Sequence, residues 1–327
     1  MSPPLRPFSD EQLRTLIALR QRYDTWVEAE RLFAALPYDL RRKEVGGRAY
    51  LYRISDRSGN GTSLGPWSPE NEALLASYRA GKSALKARRE ASRAMVDESC
   101  HLYRALRLPM LDSRPGPILR QADLRSLLGN QLLVVGTNAM AAYALEAGAA
   151  IGAGPEETED FDLAWSGEGE GGAEPILWPM LKAVDPTYTV NTERPFQARN
   201  AKAYEVELLV APSRARSLPK KDNPRPVPLP EQEWLLHGRR VDQVLACRDG
   251  SPARIVAPDP RWFALQKLWL SEKPGRDPRK RPKDLRQGLA LLDAVAVAMR
   301  HYPLDADFEA ALPRELVPPY ERWKGGW

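Results

Sequence analysis

Two cysteines and three histidines in 327 residues leave little material for several kinds of chemistry. Cys100 and Cys247 stand far apart, with no CxxC and no Cys/His cluster, which excludes a disulfide framework and a cysteine-based zinc site; both read as buried free thiols. His101, His237 and His301 lack the spacing of a metal site or a catalytic triad and read as ordinary surface or core residues. No apolar run approaches the roughly 20 residues of a membrane-spanning helix. A mean hydropathy of −0.49 agrees with that. The opening MSPPLRPFSDEQ has no apolar stretch of the signal-peptide kind, so the expectation is a cytoplasmic protein without a membrane partner.

What is present is enough for two or three packed units: 43% hydrophobic residues and 28% charged ones. The net charge of +5 and a pI near 9.1 suit a polyanionic ligand. Basic residues crowd three runs, 82–93, 213–226 and 272–286. Each is either a phosphate-contacting surface or a solvated face.

Ser9 followed by Gln12 has the form of a capping box, and apolar residues from Leu13 to Leu36 keep one helical face loaded, so a long amphipathic helix comes first. RAYLYRIS alternates like a strand and DRSGNG turns, giving a small β-hairpin; Ser68 and Pro69 then open a helix to about residue 108. DSRPGP breaks the pattern and is followed by a short helix from about 117 to 128. QLLVV, bounded by Gly129 and Gly136, reads as a buried central strand and TNAMAAYALEAG as the helix after it. Next come an EDFDLAW strand, a Gly/Glu loop, a helix around 175–184, a TYTV strand, and AYEVELLV. A basic, proline-rich loop follows over 212–230, then a hairpin over DQVLACRDGSPARIVAP and two amphipathic helices beyond Pro258. The expected domains are a helical region with a hairpin over 1–115, a core over 116–245, and a hairpin with helices over 246–327.

The chemistry is concentrated in two strands. Asp160 and Asp162 sit at i and i+2, so they share one face while Phe161 and Leu163 take the other. Two like charges that close either raise a pKa or share a cation. Glu205 and Glu207 repeat the pattern in AYEVELLV. Adjacent strands carrying acids on one face would hold divalent ions, Mg2+ or Mn2+, that clamp an attacking and a leaving oxygen. Gly136 and Thr137 mark a strand-to-helix junction where backbone N–H groups can meet an anion and Thr can cap the helix or bond a phosphate oxygen.

The segments VVGTNAMAAY, TEDFDLAW and YEVELLVAP together resemble the nucleotidyltransferase superfold of DNA polymerase beta: a strand, a Gly followed by Gly or Ser, a helix, an Asp-x-Asp strand and a third acid on a neighbouring strand. More closely, the chain is similar to a bacterial GSU-type nucleotidyltransferase-fold family, in which a VGT-A-AY junction goes with an upstream segment like Tyr50–Tyr52 and Ser63–Pro66. It is similar at greater distance to the AbiEii-type toxins, through Pro258, Lys267, Leu268, Arg281, Lys283 and Asp284. The resemblance implies an α/β fold with a mixed-sheet, polymerase beta-like core flanked by N-terminal and C-terminal helical regions. It implies that Asp160, Asp162 and Glu207 are the catalytic and metal-binding acids, with Glu205 as the alternative third acid. Gly136, Thr137, Asn138, Lys267, Lys283 and Asp284 would bind the nucleotide, with Lys267 near the β/γ phosphates. Two positions depart from the pattern, Thr137 in place of Ser or Gly and Glu207 in place of Asp.

The implied reaction is metal-dependent transfer of NMP from an NTP to an acceptor hydroxyl. RNA or tRNA is the first expectation for the acceptor, and a small molecule or protein fits the core equally; an antitoxin partner is not written in the sequence. The alternative from another class is an inactive NTP- or RNA-binding module of the same fold. A phosphatase of the haloacid-dehalogenase type would need Thr two residues past the second Asp, where Ala164 stands.

Overall fold

The computed structural model describes residues 5–152 and 160–327, so Thr158 and Glu159 at the head of the acid segment lie outside the described residues. Two compact units form, one from the chain up to Arg20 together with Cys100–Trp327, the other from Gln21–Ser99.

Helix α1 (Asp10–Ala34) opens on the expected capping box: the Ser9 N–H donates to Gln12 Oε1 at 2.9 Å, and the Gln12 N–H to Ser9 Oγ at 3.3 Å. Its later turns enter the unit Gln21–Ser99, where β1 (Asp39–Val45), β2 (Arg48–Ile54) and β3 (Gly61–Pro66) form an antiparallel sheet in sequence order. That is one strand more than the hairpin expected. DLRRKEV carries only Leu40 and Val45 as apolar residues, so its strand character comes from pairing with β2. Helix α2 (Pro69–Ala105) has Ser68 Oγ accepting from the Asn71 N–H at 3.3 Å and ends three residues earlier than expected. Leu40, Leu51 and Leu75 form the core between sheet and helix, with Trp67 and Tyr78 packed against them.

The other unit contains α3 (Pro115–Leu124), β4 (Leu132–Val134), α4 (Met140–Glu146), β5 (Asp160–Trp165) and α5 (Leu177–Val184). Then come β6 (Thr189–Val190), β7 (Gln197–Arg199), β8 (Glu205–Val210), β9 (Val241–Ala246) and β10 (Pro252–Ala257). Helices α6 (Pro260–Glu272), α7 (Arg281–Ala298), α8 (Ala306–Ala310) and α9 (Val317–Lys324) complete it. The central sheet has the order β4-β5-β8-β7-β6, with β5 and β8 parallel and every other pair antiparallel. It is a mixed sheet. β9 and β10 form the hairpin read from the sequence.

Phe161, Leu163 and Trp165 are buried on one face of β5, as are Val206, Leu208 and Val210 on β8. Burying each such side chain is worth about 1.5–3 kcal/mol, which fixes the register because a slip of one residue would turn both acid rows into the core. The loop over 212–230 is not featureless: Pro212–Ser217 is a 3-10 turn, and the carboxylate of buried Asp222 accepts from the backbone N–H groups of Ile176, Leu177 and Trp178 at 2.7–2.9 Å, holding the start of α5. The short helix after DSRPGP also starts earlier than expected, at Pro115, because proline suits a first helical position. Helices α6 and α7 pack closely at Gly288, where an added Cβ would lie 2.6 Å from Leu268 Cδ2.

Candidate active site

The site grows from the end of β4. The Val135 N–H donates to the Asp162 carbonyl at 3.1 Å, extending the β4–β5 ladder by one residue and bringing the next residue over the Asp162 side chain. That residue is Gly136, with φ +67°; a Cβ there would lie 2.9 Å from Asp162 Cγ and closer still to its Oδ2. Only glycine meets both demands. Residues Gly136–Ala139 then form a 3-10 turn before α4 begins, so the helix expected from Thr137 starts at Met140.

The parallel pairing of β5 with β8 sets Asp160 opposite Glu205 and Asp162 opposite Glu207. Carboxylate oxygens of Asp160, Asp162 and Glu207 all lie within 4.8 Å of one another. Burial, followed by the charges of Glu207 and Asp160, pushes the Asp162 carboxyl up to about 7, against the opposing pull of Lys267 and Lys280. Three half-buried carboxylates of this kind are hard oxygen donors that fit a divalent ion such as Mg2+ or Mn2+. Glu205 lies outside the group and is ion-paired with Arg199.

The remaining expected residues fall in different places. The buried Thr137 makes no helix cap; its hydroxyl accepts from Gln287 Nε2 at 3.5 Å. Asn138 Nδ2 donates to the Asp160 carbonyl at 3.4 Å, tying the turn to β5. Lys267 is buried on α6 with Nζ 2.8 Å from Asp284 Oδ1, and Arg276 binds the other oxygen of Asp284 at 2.6 Å. Asp284 therefore anchors Lys267 and Arg276. Lys283 stands in the first turn of α7, half-buried.

Three residues near the acids were not singled out from the sequence. Lys280 Nζ reaches Asp160 Oδ2 at 3.4 Å from a position 120 residues away. Gln197 on β7 donates to Glu207 Oε1, and Asn191 Nδ2 in turn donates to Gln197 Oε1 at 3.1 Å. Gln287, three residues after Asp284 and so on the same face of α7, has a buried Oε1 that finds no partner among the described residues. Lys280 lies inside a basic run, and the i, i+3 spacing of Asp284 and Gln287 was readable; for Gln197 no local signal existed, since PFQARN does not look like a strand.

The basic runs are partly neutralised. On α2, Arg88 pairs with Glu28 at 2.5 Å and Arg93 with Asp97 at 2.9 Å, while Arg93 also stacks over Trp26. Arg214 pairs with Glu168, Lys273 with Glu231, and Arg279 with Asp277. Cys100 and Cys247 are buried thiols; His237 stacks on Trp262, and His301 contacts Glu146 at 2.7 Å.

Comparison with known families settles what this arrangement belongs to. The family described as nucleotidyltransferase matches residues 114–313, a span that holds the sheet, the acid cluster and helices α6 and α7. The chain belongs to the nucleotidyltransferase family. Among solved structures, this nucleotidyltransferase is similar to an antigenic nucleotidyltransferase-like protein from Paracoccidioides brasiliensis, with 18% identity over 65% of this chain and 88% of that chain and a TM-score of 0.36. No curated protein matches it. Among its described residues no helix is long and apolar enough to cross a membrane.

Proposed function

We propose that this nucleotidyltransferase transfers a nucleoside monophosphate from an NTP to an acceptor hydroxyl, with RNA, tRNA first, as the acceptor. The observation that carries this reading is the parallel register of β5 and β8, which gathers Asp160, Asp162 and Glu207 beside Gly136. Asp160, Asp162 and Glu207 would hold Mg2+ or Mn2+, which when bound supplies Lewis-acid stabilisation of charge on the phosphoryl oxygens.

The chain's own residues do the rest. Gly136 allows the nucleotide phosphates to approach the backbone of the turn. Glu207, oriented by Gln197, takes the proton of the acceptor hydroxyl as that oxygen bonds to the α-phosphorus and the bond to pyrophosphate breaks. Lys280 answers the negative charge of the triphosphate from the segment between α6 and α7; the Arg276–Asp284 and Lys273–Glu231 pairs hold that segment in place. Lys267 adds a second, fixed positive charge behind Asp162.

The test is incubation with each α-³²P-labelled NTP, Mg2+ or Mn2+ and total bacterial RNA. Label should enter RNA and should be lost with Asp160→Ala and Asp162→Ala. Activity retained in both variants would reject the assignment; label in protein or in small molecules would keep the reaction and change the acceptor. The hydrogen bond from Gln197 that occupies one oxygen of Glu207 favours a second reading, a nucleotide-binding module without turnover. Metal-dependent NTP binding by the wild-type protein with no labelled product would select that reading.

A further inference from the structure

We propose that a cavity beside α4 is the acceptor subsite and takes a phosphate-bearing nucleotide of an RNA strand without reading its base, an inference that rests on the transfer reaction proposed above. The cavity measures about 670 Å³, within the roughly 300–1,000 Å³ of ordinary ligand sites. Its floor is apolar, formed by Leu106, Met140, Ala141, Ala144 and Ile151. Two exposed arginines, Arg6 and Arg107, are among its lining residues.

Those two arginines are set apart from the paired arginines of the basic runs. Among the described residues neither has a carboxylate partner, whereas Arg88, Arg93, Arg214, Arg276 and Arg279 all do. Arg107 also occupies a position that glycine usually fills. It closes α2 with φ +53°, its N–H donating to the Arg104 carbonyl at 3.0 Å and the Leu108 N–H to the Tyr103 carbonyl at 3.4 Å. That is a left-handed helix stop, where a side chain is a liability unless it has work to do. Here the side chain belongs to a residue that lines the cavity, and it carries a planar, permanently charged group of the form suited to bidentate phosphate contact.

The floor explains why the base would not be read. Gln12, an amide-bearing side chain in the lining, is held at both ends, Oε1 accepting from Ser9 N–H and Nε2 donating to the Leu106 carbonyl, each at 2.9 Å. Most of what is left for a base is apolar surface, which receives any base. Proximity to the reaction follows from the chain. Met140 comes four residues after Gly136 along a 3-10 turn of about 2 Å rise per residue, so the floor starts roughly 8 Å from the glycine above Asp162.

The test uses the full chain and fluorescent homopolymeric RNA oligonucleotides, one for each base, with binding read by anisotropy over a salt series. The double variant Arg6→Ala, Arg107→Gly should weaken RNA binding by about tenfold or more and flatten the log–log salt slope by about 1.4, the share of two phosphate contacts on a single strand. Glycine suits the backbone at 107, so misfolding does not stand in for the effect. Mn2+-dependent NTP binding, measured by equilibrium dialysis, should be unchanged in the variant. Unchanged RNA affinity and slope would overturn the proposal, as would a preference above tenfold for one homopolymer. Displacement of a bound fluorescent fatty acid that depends on both arginines, with RNA binding intact, would also overturn it and assign the cavity to acyl anions. If instead the arginines matter for RNA but Asp160→Ala and Asp162→Ala still label RNA, the transfer chemistry fails and the RNA subsite stands.

Discussion

Asp162→Asn should make the metal-free protein more stable near neutral pH while abolishing transfer. The folded-state carboxyl titrates at about 7 against a reference of 3.8, so its charged form is disfavoured by folding. Below about pH 4 it is protonated in both states and contributes nothing; between about pH 4 and pH 7 the unfolded chain ionises while the native one does not, and stability falls as pH rises. A difference of about three units at about 1.4 kcal/mol each sets a ceiling near 4 kcal/mol. Because the side chain is only half-buried and its neighbours are coupled to it, about 1–3 kcal/mol is the expected gain for Asn, or about 2–4 °C in Tm per kcal/mol for a unit of this size. A divalent ion should remove the same strain in the wild type, adding about 2.7 kcal/mol at a hundred times its Kd, and should do far less for the variant. The assay is thermal or urea unfolding at acidic and neutral pH, with EDTA or with MgCl2. Destabilisation by Asn at neutral pH in EDTA, or equal stabilisation of both proteins by Mg2+, would refute the reasoning.

Three further outcomes can be checked. Gly136→Ala puts a Cβ into Asp162 and forces a left-handed backbone on alanine, so it should cost about 1–3 kcal/mol in urea unfolding and remove detectable metal binding; a silent substitution would mean the turn can move away. Asp284→Asn strips buried Lys267 and Arg276 of their shared partner and should cost about 3–5 kcal/mol, read in the same unfolding experiment. Lys280→Ala removes a cation that pairs with Asp160, so Mn2+ should bind the nucleotide-free protein several-fold more tightly, while NTP in the presence of Mn2+ binds about tenfold more weakly. Weaker Mn2+ binding in that variant would show that Lys280 does not compete for the acids.

Part of this arrangement follows from local order in the chain. Period-two alternation placed Asp160 with Asp162 and Glu205 with Glu207 on single strand faces, a Gly after an apolar run marked the junction at Gly136, and Ser9 with Gln12 announced a helix start that forms as written. These signals are legible because side-chain direction in a strand or helix depends only on near neighbours in the chain. Which elements meet depends on packing across the fold. The parallel register chose Glu207 over Glu205 for the acid cluster, and that choice depends on two apolar faces being buried together across more than forty residues of chain. Pairing made a strand of Gln197–Arg199 and brought Gln197 to Glu207, although its own residues give no strand pattern. Burial turned Lys267 toward Asp284 rather than outward, since an ammonium in the interior must have a partner, and loop closure carried Lys280 to Asp160. Spacing in the chain can say that an acid or a cation exists on a given face; only the closed fold sets which opposite charge it faces, because Coulomb energy follows distance in space and that distance is fixed by packing.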